Sequence, residues 1–372
     1  MKKYLFITRQ KLSATSGGSI ATCHFIEMLT KLPDVKLDLM CSEEERKFQA
    51  LTEYSLNKIF FVPNRAFCRK IIGGMVGIHH RFRKSFFSLS SSLSEYDLII
   101  FNESAIGSTF VKYCQKGNIK TITIHHNYEP SYYDTTTDSF LKFYFRHFVK
   151  KNERIAYYHS SGNVFLTKSD EGLFKLKYKR KKTLSTVLAP FLAVCENYIC
   201  EKKYDLIITC SLVSKQNVDT LYHFFNEYGK AVSCYSIVIA GRNPSAELKN
   251  FLQSYKNVVV IENPSTEKMR ELTLSAKVYL SPIEIGGGIK VRCFDAVQNL
   301  IPIIAHENAA RGYEPLVENH FMKTYKDIKT LQDSIEYFIK NDISKSLYKE
   351  VAMQNYSISE CSKRISNFIE KI

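Results

Sequence analysis

Ser281 to Gly312 holds the densest group of residues able to do chemistry. Gly286, Gly287 and Gly288 stand between a short apolar run and a helical one, so backbone N–H groups lie bare at a strand-to-helix turn. Bare donors and the positive end of a helix dipole together favour an anion. Lys290 and Arg292 add cations beside it. The spacing predicts a helix over 289–299 with Asp295 about two turns in, close enough to accept hydrogen bonds from nucleotide sugar hydroxyls. Read alone, the segment is equally a Gly-rich turn with a solvated basic face.

Weaker candidates lie elsewhere. Ser16-Gly17-Gly18 precedes a helical pattern and forms a second anion-friendly turn, or a plain one. His125-His126-Asn127-Tyr128-Glu129 follows an apolar run at 120–124, where open α/β sheets place ligand-binding groups, although a histidine there is also commonly structural. Glu103 occupies the same kind of position after the run 97–101. Arg242, in Ala240-Gly241-Arg242, is a spare cation at a strand end.

These residues need a scaffold of alternating strands and helices. Apolar runs at 4–8, 36–40, 58–62, 97–101, 120–124 and 163–167 read as strands, and apolar residues at helical spacing over 20–32 and 140–158 read as helices. After 184–200, read as a linker containing Pro190, a second series begins. Strands at 205–210, 235–240, 257–261, 277–280 and 301–305 alternate with helices at 217–228, 245–255, 266–275 and 289–299, followed by a final helical region. Such alternation predicts parallel, doubly wound sheets.

The 372 residues suggest two domains, and 23 Tyr and 25 Phe supply ample core material, which excludes a disordered chain. The net charge of +15 is uneven: residues 1–186 carry 30 Lys/Arg and 16 Asp/Glu, leaving 22 and 21 for the rest. A basic half points to an anionic partner. In 69–87 and 140–151 cations interleave with aromatics, a pattern suited to an anionic membrane surface or, equally, to core aromatics with solvated lysines. Nucleic acid is disfavoured, because no nucleic-acid module is recognisable. The ten cysteines fall singly, without a Cys-x-x-Cys pair, so neither a metal site nor a dithiol is expected. With no signal peptide or long apolar stretch visible, the expected location is cytoplasmic, including the inner face of the cell membrane.

Gly286-Gly287-Gly288-Ile289-Lys290-x-Arg292-x-x-Asp295-Ala296, followed by Ile301-Pro302-Ile303-Ile304 and Arg311-Gly312, resembles the donor-site block of retaining GT-B glycosyltransferases, family 4 in particular. That family has Gly-x-Gly-Ile-Lys-x-Lys-x-x-Glu-Ala and then a Pro-Val-Val strand. His126-Asn127-x-Glu129 resembles its His-Asn-Val-Glu element, and Cys210 to Asp219 resembles the element that brings an Arg and a Lys to the phosphates. The resemblance implies an α/β GT-B fold of two Rossmann-like, doubly wound domains facing a central cleft. The expected division is 1–190 for acceptor binding, 191–203 as linker and 204–355 for the nucleotide sugar. Residues 356–372 are expected to form a helix, for which packing back on the N-terminal domain is an option.

By the same resemblance Asp295 holds the donor ribose and Gly286–Gly288 approach the diphosphate. Lys290 and Arg292 stabilise the leaving nucleoside diphosphate in place of a metal. Ser211 and Lys215 stand near the phosphates, with Arg242 as a substitute cation, and Gly17 and Gly18 face the same cleft. His126 contacts the transferred sugar; Asn127, Glu129 and Glu103 lie on the acceptor side. The donor base is expected near 261–263. The implied activity is transfer from a nucleotide sugar, a substrate and not a cofactor, to a lipid-linked or oligosaccharide acceptor in surface glycan synthesis. Three departures stand out: Asp295 replaces Glu, Gly287 replaces the first Glu of a Glu-x7-Glu pair, and Ser211 replaces the phosphate Arg. They feed a second expectation, a catalytically weak subunit that stabilises a partner transferase. A sugar-nucleotide epimerase is a third.

Overall fold

The computed structural model of the chain describes residues 1–13, 16–63, 80–131, 142–179, 183–193, 195, 198 and 200–372. It divides into two compact units, residues 1–191 with 358–372, and residues 192–357.

In the first unit the described elements run β1 (Lys2–Thr8), α1 (Gly17–Thr30), β2 (Val35–Ser42), β3 (Lys58–Val62), α2 (His80–Ser88), β4 (Leu98–Asn102), α3 (Ser104–Lys116), β5 (Thr121–His125), α4 (Lys142–His159), β6 (Gly162–Phe165), α5 (Lys168–Lys177) and β7 (Leu184–Val187). The sheet order is β3-β2-β1-β4-β5-β6-β7, with every pair parallel. β4 and β5 are buried along their whole length, which is why they read as unbroken apolar runs. One core packs Ile7, Phe101 and Phe110 with Phe82 and Phe86; another gathers Tyr128, Tyr157, Phe165, Phe174 and Tyr178.

The second unit runs β8 (Tyr204–Ser211), α6 (Lys215–Tyr228), β9 (Ile237–Arg242), α7 (Ala246–Gln253), β10 (Val258–Glu262), α8 (Thr266–Leu274), β11 (Ala276–Ser281), α9 (Cys293–Gln298), β12 (Ile303–His306), α10 (Glu314–Glu318), β13 (Met322–Tyr325), α11 (Ile328–Lys340) and α12 (Lys345–Tyr356). Its sheet, β10-β9-β8-β11-β12-β13, is also parallel throughout. In both units the first three strands lie in reverse order before the rest follow, so the strand order switches direction between β1 and β4, and again between β8 and β11. Open α/β sheets bind ligands at the carboxyl ends flanking such a switch.

The last helix, α13 (Ile358–Ile369), belongs to the first unit. Its Ser362 hydroxyl donates to Met28 O of α1 at 3.2 Å. Its Phe368 lies so close to Gly162 that a β-carbon there would meet the ring at 2.8 Å.

Several elements differ from the sequence reading. The linker expected over 184–200 begins with a strand, because Leu184–Val187 pairs with β6. β13 lies where a helical region was expected. The helix expected over 289–299 starts only at Cys293. The N–H groups of Cys293, Phe294 and Asp295 bond three residues back, to Lys290, Val291 and Arg292, and Tyr313 Oη also donates to Lys290 O at 2.8 Å. The preceding residues are thereby held in tight turns, and Asp295 sits in the first helical turn instead of the second.

Part of each basic, aromatic segment, residues 69–79 and 140–141, lies outside the described residues, as do the cations 180–182. In the described part Phe82 and Phe86 are core residues, Phe86 stacking on Phe110 at 4.1 Å. Arg83, Lys84, Arg146 and Lys150 are exposed. Among the described residues no helix is long and apolar enough to cross a membrane, and the nine described cysteines are unpaired.

Candidate functional site

In the second unit a pocket lies where β8 and β11 end, and of the predicted donor residues it is lined by Lys290 and Arg292. Cys210, Asn217, Ser281 and Pro282 also line it. The glycine loop is shaped by two left-handed residues, Gly286 at φ 107° and Gly288 at φ 68°, conformations that side chains rarely tolerate. Gln216, on the first turn of α6, donates its amide to Ile285 O. Asn308 donates to Glu284 O at 2.6 Å and is itself held by Arg311. Lys290 Nζ folds onto Gly287 O at 3.1 Å. The loop is thus tied from three sides with its cations at the pocket.

Asp295 faces Arg292 at 3.5 Å. Loss of solvent around its carboxyl raises its pKa, and the guanidinium opposes that rise. Ser211 and Arg242 are register partners on β8 and β9, so Arg242 occupies the strand end beside the position that lacks a cation. Lys215 begins α6, is largely exposed and pairs with Asp219 at 3.3 Å. Its helix has Ser214 as N-cap without a side-chain cap hydrogen bond.

In the first unit the switch between β1 and β4 assembles a second group. Glu103, buried and in a strained backbone conformation (φ 87°), receives both Arg9 and Gln10, the two residues that follow β1. Gly18 lets the Gln10 amide lie against the start of α1, since a β-carbon would stand 3.1 Å from its nitrogen. Gly17 opens α1, whose N-cap Ser16 accepts from Ser19 N at 3.2 Å.

The two histidines after β5 differ in kind. His125 is fully enclosed, bonded to Ser104 Oγ and Asn163 Oδ1 at 2.9 Å each and stacked on Phe165; burial lowers its pKa to about 4. His126 is bonded through Nε2 to Asn102 Oδ1 at 2.7 Å, and its Nδ1 has no partner among the described residues. Loss of solvent lowers its pKa as well. Asn127 Oδ1 is likewise enclosed and without a partner among the described residues.

Two carboxylates brace this segment from behind: Asp170 accepts Tyr128 N at 3.1 Å and Glu153 accepts Glu129 N at 2.7 Å. Burial raises Glu153 well above the ordinary carboxylate range and lifts Glu129 to about 7, with Glu103 adding repulsion to Glu129. Sequence reasoning missed Arg9, Gln10, Asn102, Glu153 and Asp170. Arg9 and Asn102 were findable, because each closes or follows a strand flanking the switch.

Two doubly wound parallel units with polar groups at both switch points define the GT-B fold class. No family model and no curated protein matches the chain. Solved structures match over essentially full length. Sucrose-phosphate synthase from Thermosynechococcus elongatus has a TM-score of 0.71 at 11% identity, covering 100% of this chain and 99% of its own. Anabaena HepE in complex with UDP and glucose has a TM-score of 0.66 at 12% identity, covering 100% of both chains. An S. aureus TarM variant bound to fondaparinux, alpha-GlcNAc-glycerol and UDP gives 0.69 at 10% identity, covering 99% and 100%.

Proposed function

We propose that this chain is a glycosyltransferase, similar to retaining family 4, that moves a sugar from a nucleotide donor to a glycan or lipid-linked acceptor. The observation that carries the reading is the braced glycine loop holding Lys290 and Arg292 at the β8–β11 switch. The solved structures of the same fold, one of them bound to UDP and glucose, support it.

In this reading the anomeric carbon's bond to the diphosphate oxygen breaks while an acceptor hydroxyl oxygen bonds to that carbon on the same face. The hydroxyl proton passes to the departing diphosphate. Lys290 and Arg292 take up the charge that develops on the leaving group, a preorganised effect that typically contributes about 10²–10³ in rate per group. Asp295 receives the ribose hydroxyls and turns from Arg292 to do so. Arg242 supplies the cation that Ser211 does not. His126 and Asn127 meet sugar hydroxyls, and Glu129 lies on the acceptor side.

A thermal-shift panel of UDP, GDP, ADP and CMP identifies the base, and turnover of the matching nucleotide sugar tests the site. Lys290→Ala lowers kcat by about 10²-fold, whereas Asp295→Ala acts mainly on donor KM. Full activity in both variants sinks the assignment.

The absence of a cation at Ser211 favours a second reading, a weakly catalytic subunit that stabilises a partner. Calorimetry showing no nucleoside-diphosphate binding selects it. We further propose that the basic first unit meets an anionic membrane carrying the acceptor, at its cytoplasmic face.

A further inference from the structure

We propose that Asn102 is a positioning residue that sets the tautomer of His126, holding the proton of the neutral ring on Nε2, so that Nδ1 stands as a bare acceptor for a ligand hydroxyl. Only the identity of that ligand as a sugar rests on the glycosyltransferase reading; the state of the ring follows from the protein.

Asn102 ends β4 and is fully buried. Its amide nitrogen lies 2.9 Å from Thr22 Oγ1 and 3.0 Å from Thr8 Oγ1. Thr22 spends its own hydroxyl proton on Gly18 O at 2.7 Å, leaving only lone pairs for Asn102. An amide nitrogen donates and never accepts, so both of its protons go to the two threonines and its oxygen turns to His126. That oxygen takes the Nε2 proton at 2.7 Å.

A neutral imidazole carries one N–H, so Nδ1 is an acceptor. The charged groups facing the ring are Glu103 at the end of β4 and Arg9 at the end of β1, with His125 adjacent in sequence; Glu103 and Arg9 are themselves paired. Nδ1 is enclosed and meets no donor among the described residues. A buried acceptor left unmet is costly in the free protein, and a ligand O–H removes that cost. The Thr8–Asn102–Thr22 brace links β1, β4 and α1 and carries the Gly17–Gly18 turn with it.

The test is long-range proton–nitrogen NMR of histidine-labelled protein, with UDP-glucose turnover across pH as a second reading. In the wild type His126 shows an unprotonated Nδ1 and a protonated Nε2 at pH 7. Asn102→Asp keeps the shape but sets a carboxylate against the ring, moving the His126 midpoint up by about one unit or more. Imidazolium then forms, Nδ1 becomes a donor, and turnover falls about tenfold at pH 6 and recovers by pH 8.5. A proton on Nδ1 in the wild type, a charged ring at pH 7, or an unmoved midpoint in the variant overturns the proposal. A wild type that turns over no nucleotide sugar defeats the glycosyltransferase reading instead, and the NMR result still decides the state of the ring.

Discussion

His125 and Glu129 sit four residues apart and respond to pH in opposite senses. The unfolded chain protonates His125 near pH 6.5, while the folded chain resists until about 4. Its contribution to stability is therefore lost as pH falls through that window. Glu129 is raised from 4.5 to about 7, so the folded state keeps a proton that the unfolded state has released, and stability is lost as pH rises from 4.5 towards 7. The two slopes overlap and oppose. Glu129→Gln removes the second, so the variant gains about 2 kcal/mol over wild type on going from pH 5 to pH 7.5. Urea titrations at both pH values check this, and parallel curves for the two proteins would refute it. Burial thus favours the neutral form of both His125 and His126, with Arg9 as the nearby permanent charge.

At the scale of elements, the site depends on how closely β8 and β9 approach. Gly241 is the contact point: a β-carbon there would lie 2.2 Å from Cys210 O and 2.7 Å from Leu212 Cγ. Because the obstacle is backbone, it cannot swing aside. Gly241→Ala costs about 3 kcal/mol of stability and parts Ser211 from Arg242, lowering donor affinity; an unshifted unfolding midpoint would show the strands free to yield.

Which elements were legible in the sequence follows from the same packing. β1, β4 and β8 are buried on both faces and announce themselves as apolar runs. β7 is half-exposed and reads Leu-Ser-Thr-Val beside a cationic stretch, so nothing in its pattern marks a strand. Lys290 and Arg292 were legible as pocket-lining cations because one short segment before α9 spaces them. Arg9, Gln10 and Glu103 were not seen as a group, because 93 to 94 residues separate them and only the β1–β4 pairing brings them together. The starting point of α9 was hidden for a similar reason, since the hydroxyl that helps hold the preceding turns comes from Tyr313, 23 residues away.

At the scale of the molecule, the surplus charge belongs to the first unit while the glycine loop with Lys290 and Arg292 belongs to the second. Phe82 and Phe86 are committed to the core, so among the described residues of 69–87 the proposed docking on an anionic membrane would rest on the exposed Arg83 and Lys84. Binding to vesicles of mixed neutral and anionic lipid is then electrostatic, at roughly 1 kcal/mol per well-placed cation, and weakens steeply between 50 and 300 mM salt. Co-sedimentation that survives the higher salt points to buried apolar area instead. The closing helix α13 also has a consequence for biogenesis. A ribosome delivers residues 192–357 as one continuous stretch, so the second unit has its whole sequence before the first has its last piece. Met28 and Gly162 meet their partners only when Ser362 and Phe368 emerge, so the first unit closes on pieces made after the whole of residues 192–357.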